Sequence, residues 1–384
     1  MVRPYTRGTS THLNMGAMMS LTRREFSKLG ALGIAAQLLP VVKAEAQGTP
    51  RKVGYCVIGL GRIADHFMRG VKEGSTSQIT GLVSGHRDKA ERIAAEYGVP
   101  KDSIYNYEDM DRMRENKAID AVYVALPNSM HAEYTIRSAK AGKHVLCEKP
   151  MSISVKEAED MIAACRAANV KLMIAYRLRY EPTTLKAIKL VRDGNLGTIQ
   201  GFNSANGFNI APGEWRSTKE LGGGGSLLDM GIYSLNASRY LTGEEPDKFV
   251  AMVSTVDHDG RFDTVEESTA WTMKFPSGAL ASCNTTYGAQ MPGYYKIFGS
   301  KGWMEGTFGY DHVLLRASYL PGEGQPMVHI DEVNPSRDPY QFVLQADHFT
   351  QCILENKTPR TPGEEGLRDM QHIQSIYRAA GVEF

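Results

Sequence analysis

The chain has 384 residues, of which 42% are hydrophobic and 23% are charged, and its formal net charge at pH 7 is +1. The near-zero charge without a basic run argues against nucleic acid as a partner. The five cysteines lack paired spacing and the ten histidines lack metal-ligand spacing, so neither a disulfide framework nor a metal site is expected. The length predicts two domains.

An export segment is predicted at residues 1–46. Arg23 and Arg24 resemble the paired arginines of a twin-arginine signal, an apolar stretch follows at 29–42, and small residues at 44–46 offer a cleavage site. The apolar stretch is shorter than the roughly 20 residues that span a bilayer, so no stable membrane association is expected after export. A folded, periplasmic protein is therefore predicted. The alternative is an N-terminal extension with a chance arginine pair.

A strand-turn-helix pattern opens the remaining chain. An apolar run at 53–58 leads into a G-x-G-x-x-A turn at 59–64, and a helical segment follows to about residue 72. The first glycine permits the tight turn, and the second lets backbone N–H groups approach a pyrophosphate at the helix N-terminus. The alternative is a glycine-rich turn without a ligand. A dinucleotide site is predicted at Gly59, Leu60, Gly61, Arg62 and Ile63.

The second strand, at 79–83, indicates which nucleotide binds. An NAD site usually places an acidic residue after this strand, whereas here Ser84, Arg87 and Lys89 follow it. A hydroxyl and two cations suit a 2′-phosphate, which favours NADP over NAD. The alternative is a solvated helix start with surface charges.

Strands and helices then alternate. Strands are predicted at 119–125, 145–147 and 172–175, with helices between them, which is typical of a doubly wound parallel sheet. The loops after such strands border the ligand crevice. The residues expected at this crevice are Leu126, Pro127, Asn128, His131, Glu148 and Lys149.

Three residues are candidates for catalysis. Pro150 biases Lys149 away from helix, which can aim its ammonium group into the crevice. A run of four glycines at 222–225 reads as a flexible loop before a predicted helix, on which Asp229 and Tyr233 are four residues apart and share one face. A phenol is a poor base at neutral pH, and a nearby lysine would favour the phenolate. The alternative is a surface lysine, a core tyrosine and a helix-face charge.

The rest of the chain predicts strands at 249–256, 267–274 and 279–286, separated by turns. A final helix is predicted from about 366 to 380, packing back against the body of the protein.

Together, Gly59 to Ala64, Glu148-Lys149-Pro150, and Asp229 with Tyr233 resemble the glucose–fructose oxidoreductase (Gfo/Idh/MocA) family, in particular its periplasmic glucose–fructose and aldose–aldose oxidoreductase branch. Further matching segments are 126–132, 176–182 and 222–236. The resemblance implies an N-terminal Rossmann domain at 51–175 that binds NADP. It also implies a C-terminal substrate and dimerisation domain at 176–384, built on a large, mostly antiparallel open sheet flanked by helices.

The resemblance also implies residue roles. Tyr233 would exchange a proton with the sugar C1 oxygen, Lys149 would assist Tyr233 and contact cofactor or sugar, and Asp229 would hold sugar hydroxyls. Glu148, Arg177, Trp215 and Arg216 would face the cofactor, and Tyr176 and Arg179 the sugar. Arg179 stands where glucose–fructose oxidoreductase is expected to have histidine, which argues against fructose as the acceptor.

The implied reaction is a ping-pong hydride transfer through tightly bound NADP(H). One aldose is oxidised at C1 to its lactone, and a second aldose or ketose is reduced to the alditol. The alternatives are a conventional NAD(P)-dependent aldose dehydrogenase with exchangeable cofactor and a sugar-binding protein on an inherited fold. The short segment between residue 47 and the first strand suggests a homodimer joined through sheet faces.

Overall fold

The computed structural model describes residues 51–384, and the predicted export segment at 1–46 lies outside the described residues. Two sheets, of six and eight strands, organise this part of the chain. None of its helices combines the length and apolar character needed to cross a bilayer. Nor do residues 51–384 gather three or more histidine, cysteine or acidic side chains that could hold a metal ion.

The first sheet is parallel, as the alternating pattern predicts. Its strands are β1 (Val53–Ile58), β2 (Ser77–Val83), β3 (Ile104–Tyr105), β4 (Ala121–Val124), β5 (His144–Cys147) and β6 (Leu172–Ile174), and its helices are α1 (Arg62–Glu73), α2 (Arg87–Tyr97), α3 (His131–Lys140) and α4 (Val155–Ala167). The strand order is β3-β2-β1-β4-β5-β6. This order reverses between β1 and β4, and a ligand crevice is expected where the carboxyl ends of those two strands diverge.

The second sheet is mostly antiparallel and open. After helix α5 (Pro182–Arg192), its strands are β7 (Ile199–Gly207), β8 (Lys248–Ser254), β9 (Ser268–Lys274), β10 (Leu280–Thr286), β11 (Met291–Gly299), β12 (Gly302–Thr307), β13 (Leu314–Tyr319) and β14 (Val328–Val333). The order is β14-β13-β12-β11-β7-β10-β9-β8, and among the described strands of this sheet only β7 and β10 pair in parallel. The predicted fold class is therefore confirmed.

Helix α7 packs on the second sheet, and the two C-terminal helices pack against helices of the first sheet. Short α6 (Lys219–Gly222) and α7 (Ile232–Thr242) follow β7, and α8 (Tyr340–Leu354) and α9 (Gly363–Ala379) follow β14. Helix α8 packs on α1, so that Phe342 and Phe349 share a core with Tyr55 and Phe67. The sequence pattern did not predict α8. Helix α9 contacts α4 and β8, as expected of a final helix that packs back on the body.

Candidate active site

The glycine turn lies at the carboxyl end of β1. Gly59 has a φ of +86°, and a Cβ there would lie 2.5 Å from the carbonyl oxygen of Ala125, so glycine is required. A Cβ on Gly61 would meet nothing within 4 Å, and no side chain caps the N-terminus of α1 that Gly61 begins. The free N–H groups of that helix end are suited to an anion. The turn therefore fits the pyrophosphate of a dinucleotide.

A cleft of about 630 Å³ opens beside this turn. It lies between the carboxyl edge of the first sheet and the ends of strands β7, β11 and β12 of the second. The predicted site residues that line it are Arg62, Ile63, Leu126, Asn128, His131, Glu148, Lys149, Arg177, Trp215, Arg216, Asp229 and Tyr233. Both loops that the sequence assigned to the crevice thus reach it.

The ring of His131 lies between those two loops, and as a neutral imidazole it donates a hydrogen bond to one of the two carbonyl oxygens that it faces. Its Nδ1 lies 2.7 Å from the carbonyl oxygen of Pro150 and its Nε2 lies 2.9 Å from that of Leu126. The ring is 1% exposed, and burial holds the pKa of His131 at about 4 despite those two carbonyls. Although it borders the cleft, His131 is built into the scaffold that fixes the loops.

Glu148 is a buried carboxyl next to the candidate lysine. It accepts a hydrogen bond from the hydroxyl of Tyr123, and its Oε2 lies 3.2 Å from the backbone N–H of Lys149. Burial raises the pKa of Glu148 above its usual range, against the opposing effects of Tyr123 and Lys149. Its side chain therefore presents a firmly oriented carboxyl to the cleft.

Lys149 and Asp229 form a buried ion pair across the cleft. The Lys149 Nζ lies 2.7 Å from Asp229 Oδ1 and donates to the Asp229 carbonyl oxygen at 2.8 Å. Burial alone would lower the pKa of Lys149, but Asp229 and Tyr233, with a smaller effect of Tyr310, together raise it. Burial would likewise raise the pKa of Asp229, yet Lys149 and Arg216 hold it below its ordinary value. Both groups are therefore charged at neutral pH.

Tyr233 lies between two cations. The Lys149 Nζ is 4.8 Å from the centre of its ring, and the Arg177 Cζ is 5.5 Å from it. The side chain of Tyr233 lines the cleft, and Arg177 lies within hydrogen-bonding reach of its hydroxyl. A substrate hydroxyl could therefore approach the phenol while Lys149 stays at its side.

The helix that carries Asp229 and Tyr233 differs from the predicted regular helix. Leu227–Gly231 forms a π-helical turn, and α7 begins only at Ile232. Such turns occur frequently at functional sites. The two side chains meet through Lys149, which contacts both, and so the prediction that they serve one site does not depend on regular helical spacing.

Tyr176 and Arg179, predicted to face the sugar, do not line this cleft. The Tyr176 hydroxyl donates to Asp369 Oδ2 at 2.6 Å, and Arg179 Nη1 lies 2.9 Å from Glu365 Oε1. Both side chains belong to a buried ionic network behind Lys149 and Tyr233, where they border a small cavity that Lys149 and Tyr233 also line. Tyr176 and Arg179 flank the cleft residue Arg177 in sequence, but the helical turn at Arg177–Tyr180 directs their side chains away from the cleft.

The residues predicted to hold a 2′-phosphate lie at the end of β2, outside the cleft lining. Arg87 donates to the carbonyl oxygen of Ile104 at 3.0 Å and to Glu91 at 2.9 Å, while Lys89 is exposed. The Ser84 hydroxyl accepts from the backbone N–H of His86 at 3.1 Å. The segment adjoins the glycine turn, because Gly59 N–H donates to the carbonyl oxygen of Val83. Gly59, Leu60, Gly61 and Pro127 also lie next to the lining rather than in it.

Two tyrosines of the site were not predicted. The Tyr287 hydroxyl donates to Asp229 Oδ2 at 2.8 Å, and the ring of Tyr310 lies 3.7 Å from the Arg177 Cζ in the cleft. Burial and Tyr233 raise the pKa of Tyr310 to about 12. Each tyrosine follows the last residue of a strand, β10 for Tyr287 and β12 for Tyr310. That position after a strand was the feature of the sequence that could have marked them as site residues.

A phosphate-binding helix end and a lysine, aspartate and tyrosine share one cleft, which is the arrangement of a dinucleotide-dependent oxidoreductase. The chain belongs to the Gfo/Idh/MocA family. The family's NAD-binding Rossmann oxidoreductase model matches residues 53–176, and its GFO/IDH/MocA C-terminal domain model matches 184–305.

Known relatives cover most of the chain. D-xylose 1-dehydrogenase [NADP(+)] of Haloarcula marismortui is 30% identical over 346 residues, which are 88% of this chain and 94% of the relative. The structure of aldose-aldose oxidoreductase from Caulobacter crescentus, complexed with glycerol, is 43% identical with a TM-score of 0.81, covering 86% of this chain and 98% of that one. Levoglucosan dehydrogenase in complex with NADH and levoglucosan shares the fold, with 21% identity, a TM-score of 0.76 and coverage of 86% and 98%.

Proposed function

We propose that the protein is an aldose oxidoreductase that works through tightly bound NADP(H). One aldose is oxidised at C1 to the lactone, and a second aldose or ketose is reduced to the alditol on the same cofactor. The placement of Tyr233 beside the Lys149–Asp229 pair, across the cleft from the glycine turn, carries this proposal. The likeness to the Caulobacter crescentus aldose-aldose oxidoreductase supports it.

The side chains supply the proton chemistry. NADP, when bound, supplies the hydride acceptor of the first half-reaction and the hydride donor of the second. Tyr233 takes the proton from the C1 hydroxyl as the aldose is oxidised, and returns it to the carbonyl oxygen of the second sugar. Lys149 stabilises the phenolate through its charge, and Asp229 fixes Lys149 and can accept hydrogen bonds from sugar hydroxyls.

Retention of the cofactor follows from the proposed location. If residues 1–46 direct export of the folded protein to the periplasm, a released nucleotide would be lost by dilution. A cofactor that is reset in place by a second sugar avoids this loss. The hydroxyl of Ser84 and the cations of Arg87 and Lys89 support NADP, and the likeness to the Haloarcula D-xylose 1-dehydrogenase [NADP(+)] agrees with it.

A homodimer is proposed through the open face of the second sheet. Several large apolar side chains are exposed there, with Val250 at 71% and Met252 at 73% on the edge strand β8. Leu280, Tyr294 and Phe298 extend the apolar surface across β10 and β11. Apolar surface of this extent is typical of an association site.

The decisive experiment uses protein purified without added nucleotide. We expect it to contain about one NADP(H) per chain, detected by absorbance after denaturation. Incubation with a single aldose, and no added coenzyme, should yield aldonate and alditol in equal amounts. A nucleotide-free protein that turns over only with added coenzyme would exclude the proposal.

That outcome would instead support an exchangeable-cofactor aldose dehydrogenase. The 30% identity to D-xylose 1-dehydrogenase [NADP(+)], over 94% of that relative, favours this second candidate. It predicts stoichiometric formation of free NADPH and lactone, with no alditol.

A further inference from the structure

The four glycines at 222–225 are closely packed, whereas the sequence suggested a flexible loop. A Cβ on Gly224 would lie 2.6 Å from the Tyr377 hydroxyl, and a Cβ on Gly225 would lie 2.0 Å from the carbonyl oxygen of Glu266 and 2.7 Å from its Cδ. The missing side chains thus make room for two specific partners, one on α9 and one just before β9.

Glu266 caps the chain that leads into the π-turn. Its Oε2 accepts from the Gly225 N–H at 3.0 Å and its Oε1 accepts from the Leu227 N–H at 2.9 Å. The Tyr377 hydroxyl donates a hydrogen bond to the same Oε1 at 2.9 Å and so helps to orient the Glu266 carboxyl group. No side chain of the segment itself caps this helix start. Glu266 therefore satisfies two of the N–H groups that a helix start leaves unpaired.

The capped residues are directly joined to the catalytic ones. The carbonyl oxygen of Gly225 accepts a hydrogen bond from the Asp229 N–H at 3.4 Å. Leu227 is the first residue of the π-turn that contains Asp229. Helix α7, which contains Tyr233, follows that turn directly. A shift of Gly225 and Leu227 would move Asp229 relative to Lys149, which is held by the separate loop after β5.

We propose that Glu266 is a positioning residue of the active site. Its carboxylate sets the placement of Asp229 and Tyr233 by holding Gly225 and Leu227 against the start of β9, and Tyr377 holds Glu266. Glu266 touches neither substrate nor cofactor in this scheme, since it lines a second cleft on the other side of the glycine run. The proposal rests on the function proposed above for Asp229 and Tyr233.

Glu266→Gln tests the proposal in the full-length protein with its bound nucleotide. Glutamine offers one acceptor oxygen and places an NH₂ donor against one of the two backbone donors, so one cap is lost. We expect the single-turnover rate of aldose oxidation to fall roughly 10- to 100-fold, because small displacements of reacting groups have effects of this size. The bound nucleotide per chain should stay unchanged.

The neighbouring Glu267→Gln is the matched control. It removes the same charge one residue along, and its carboxyl binds the N–H groups of Val256 and Asp257, which belong to a different loop. We expect its rate to stay within about threefold of the wild type. Equal rate losses in the two variants would overturn the proposal.

Amide hydrogen exchange gives a reading that does not depend on the reaction. Glu266→Gln should accelerate exchange at residues 225–233 and leave 255–258 unchanged. If Glu266→Gln does not fold, Tyr377→Phe, which removes only the outer hydrogen bond, should show the same pattern with a smaller acceleration. Unchanged exchange at 225–233 would refute the role of Glu266. A wild type that does not oxidise aldoses would refute the proposed function and leave this comparison valid.

Discussion

The buried ion pair between Lys149 and Asp229 gives the sharpest prediction about stability. In Asp229→Asn the carboxylate is removed and the ammonium group of Lys149, 12% exposed in its side chain, loses its counter-charge. Burial lowers the pKa of Lys149, and without Asp229 only Tyr233 and Tyr310 oppose it. The variant must either keep an unpaired buried cation or release its proton.

The expected loss can be worked from the geometry. At the observed 2.7 Å separation, two unit charges attract by about 6 kcal/mol at an effective dielectric constant of 20. Desolvation of both groups offsets part of this attraction, and breaking buried pairs typically costs about 3–5 kcal/mol. In a chain of this size each kcal/mol lowers the melting midpoint by roughly 1–2 °C. Asp229→Asn should therefore melt roughly 3–10 °C below the wild type.

Thermal unfolding at saturating NADP, followed by tryptophan fluorescence, measures this shift. The double variant Lys149→Met, Asp229→Asn should recover part of the loss, because an apolar side chain needs no counter-charge. Asp160→Asn, which breaks the exposed Lys156–Asp160 pair on α4, is the control and should shift the midpoint by less than about 1 °C. A shift in Asp229→Asn as small as that of the control, or additive effects in the double variant, would refute the reasoning.

Three further predictions concern the proton acceptor, a buried imidazole and the nucleotide turn. Tyr233→Phe should keep its bound nucleotide and lose turnover by at least roughly 100-fold, whereas Tyr310→Phe should lose far less; comparable losses would show that the base is misassigned. Burial holds the pKa of His131 at about 4, below the unfolded value near 6.5. The free energy of unfolding should therefore fall by about 3 kcal/mol as the pH falls from 6.5 to 4. His131→Asn should flatten the pH dependence of the unfolding midpoint in that window. Gly59→Ala should purify without nucleotide, since its Cβ would lie 2.5 Å from a carbonyl oxygen. Gly98→Ala is the control, because Gly98 also has a positive φ but its Cβ would meet no atom within 4 Å, and it should retain the nucleotide. Retention by both variants would contradict the steric argument.

The features of the first sheet could be predicted because they are local in sequence. An apolar strand, a glycine turn and a helix start occupy consecutive residues, and so Gly59 to Ile63 were found by pattern. The loops at Leu126 and Glu148 follow strands in the same way. Their meeting at one cleft follows from parallel strands ending at one edge.

The opposite wall of the cleft depends on long-range packing, which one sequence does not display. Tyr287 reaches Asp229 only because β10 lies beside β7 in the second sheet. Arg179 and Tyr176 flank Arg177 in sequence, yet their partners Glu365 and Asp369 on α9 hold them outside the lining of the main cleft. Glycines 224 and 225 suggest freedom when read alone, and only the positions of Tyr377 and Glu266 show that they are closely confined.

The docking of α8 on α1 has a consequence for the order of assembly. Phe342 and Phe349 cover Tyr55 and Phe67, so the layer behind the nucleotide turn stays uncovered until some 280 further residues have left the ribosome. A fragment that ends after β6 would expose that apolar layer and should aggregate when expressed alone. The core of the first sheet therefore begins with the first described residues and is completed only by α8, near the other end of the chain.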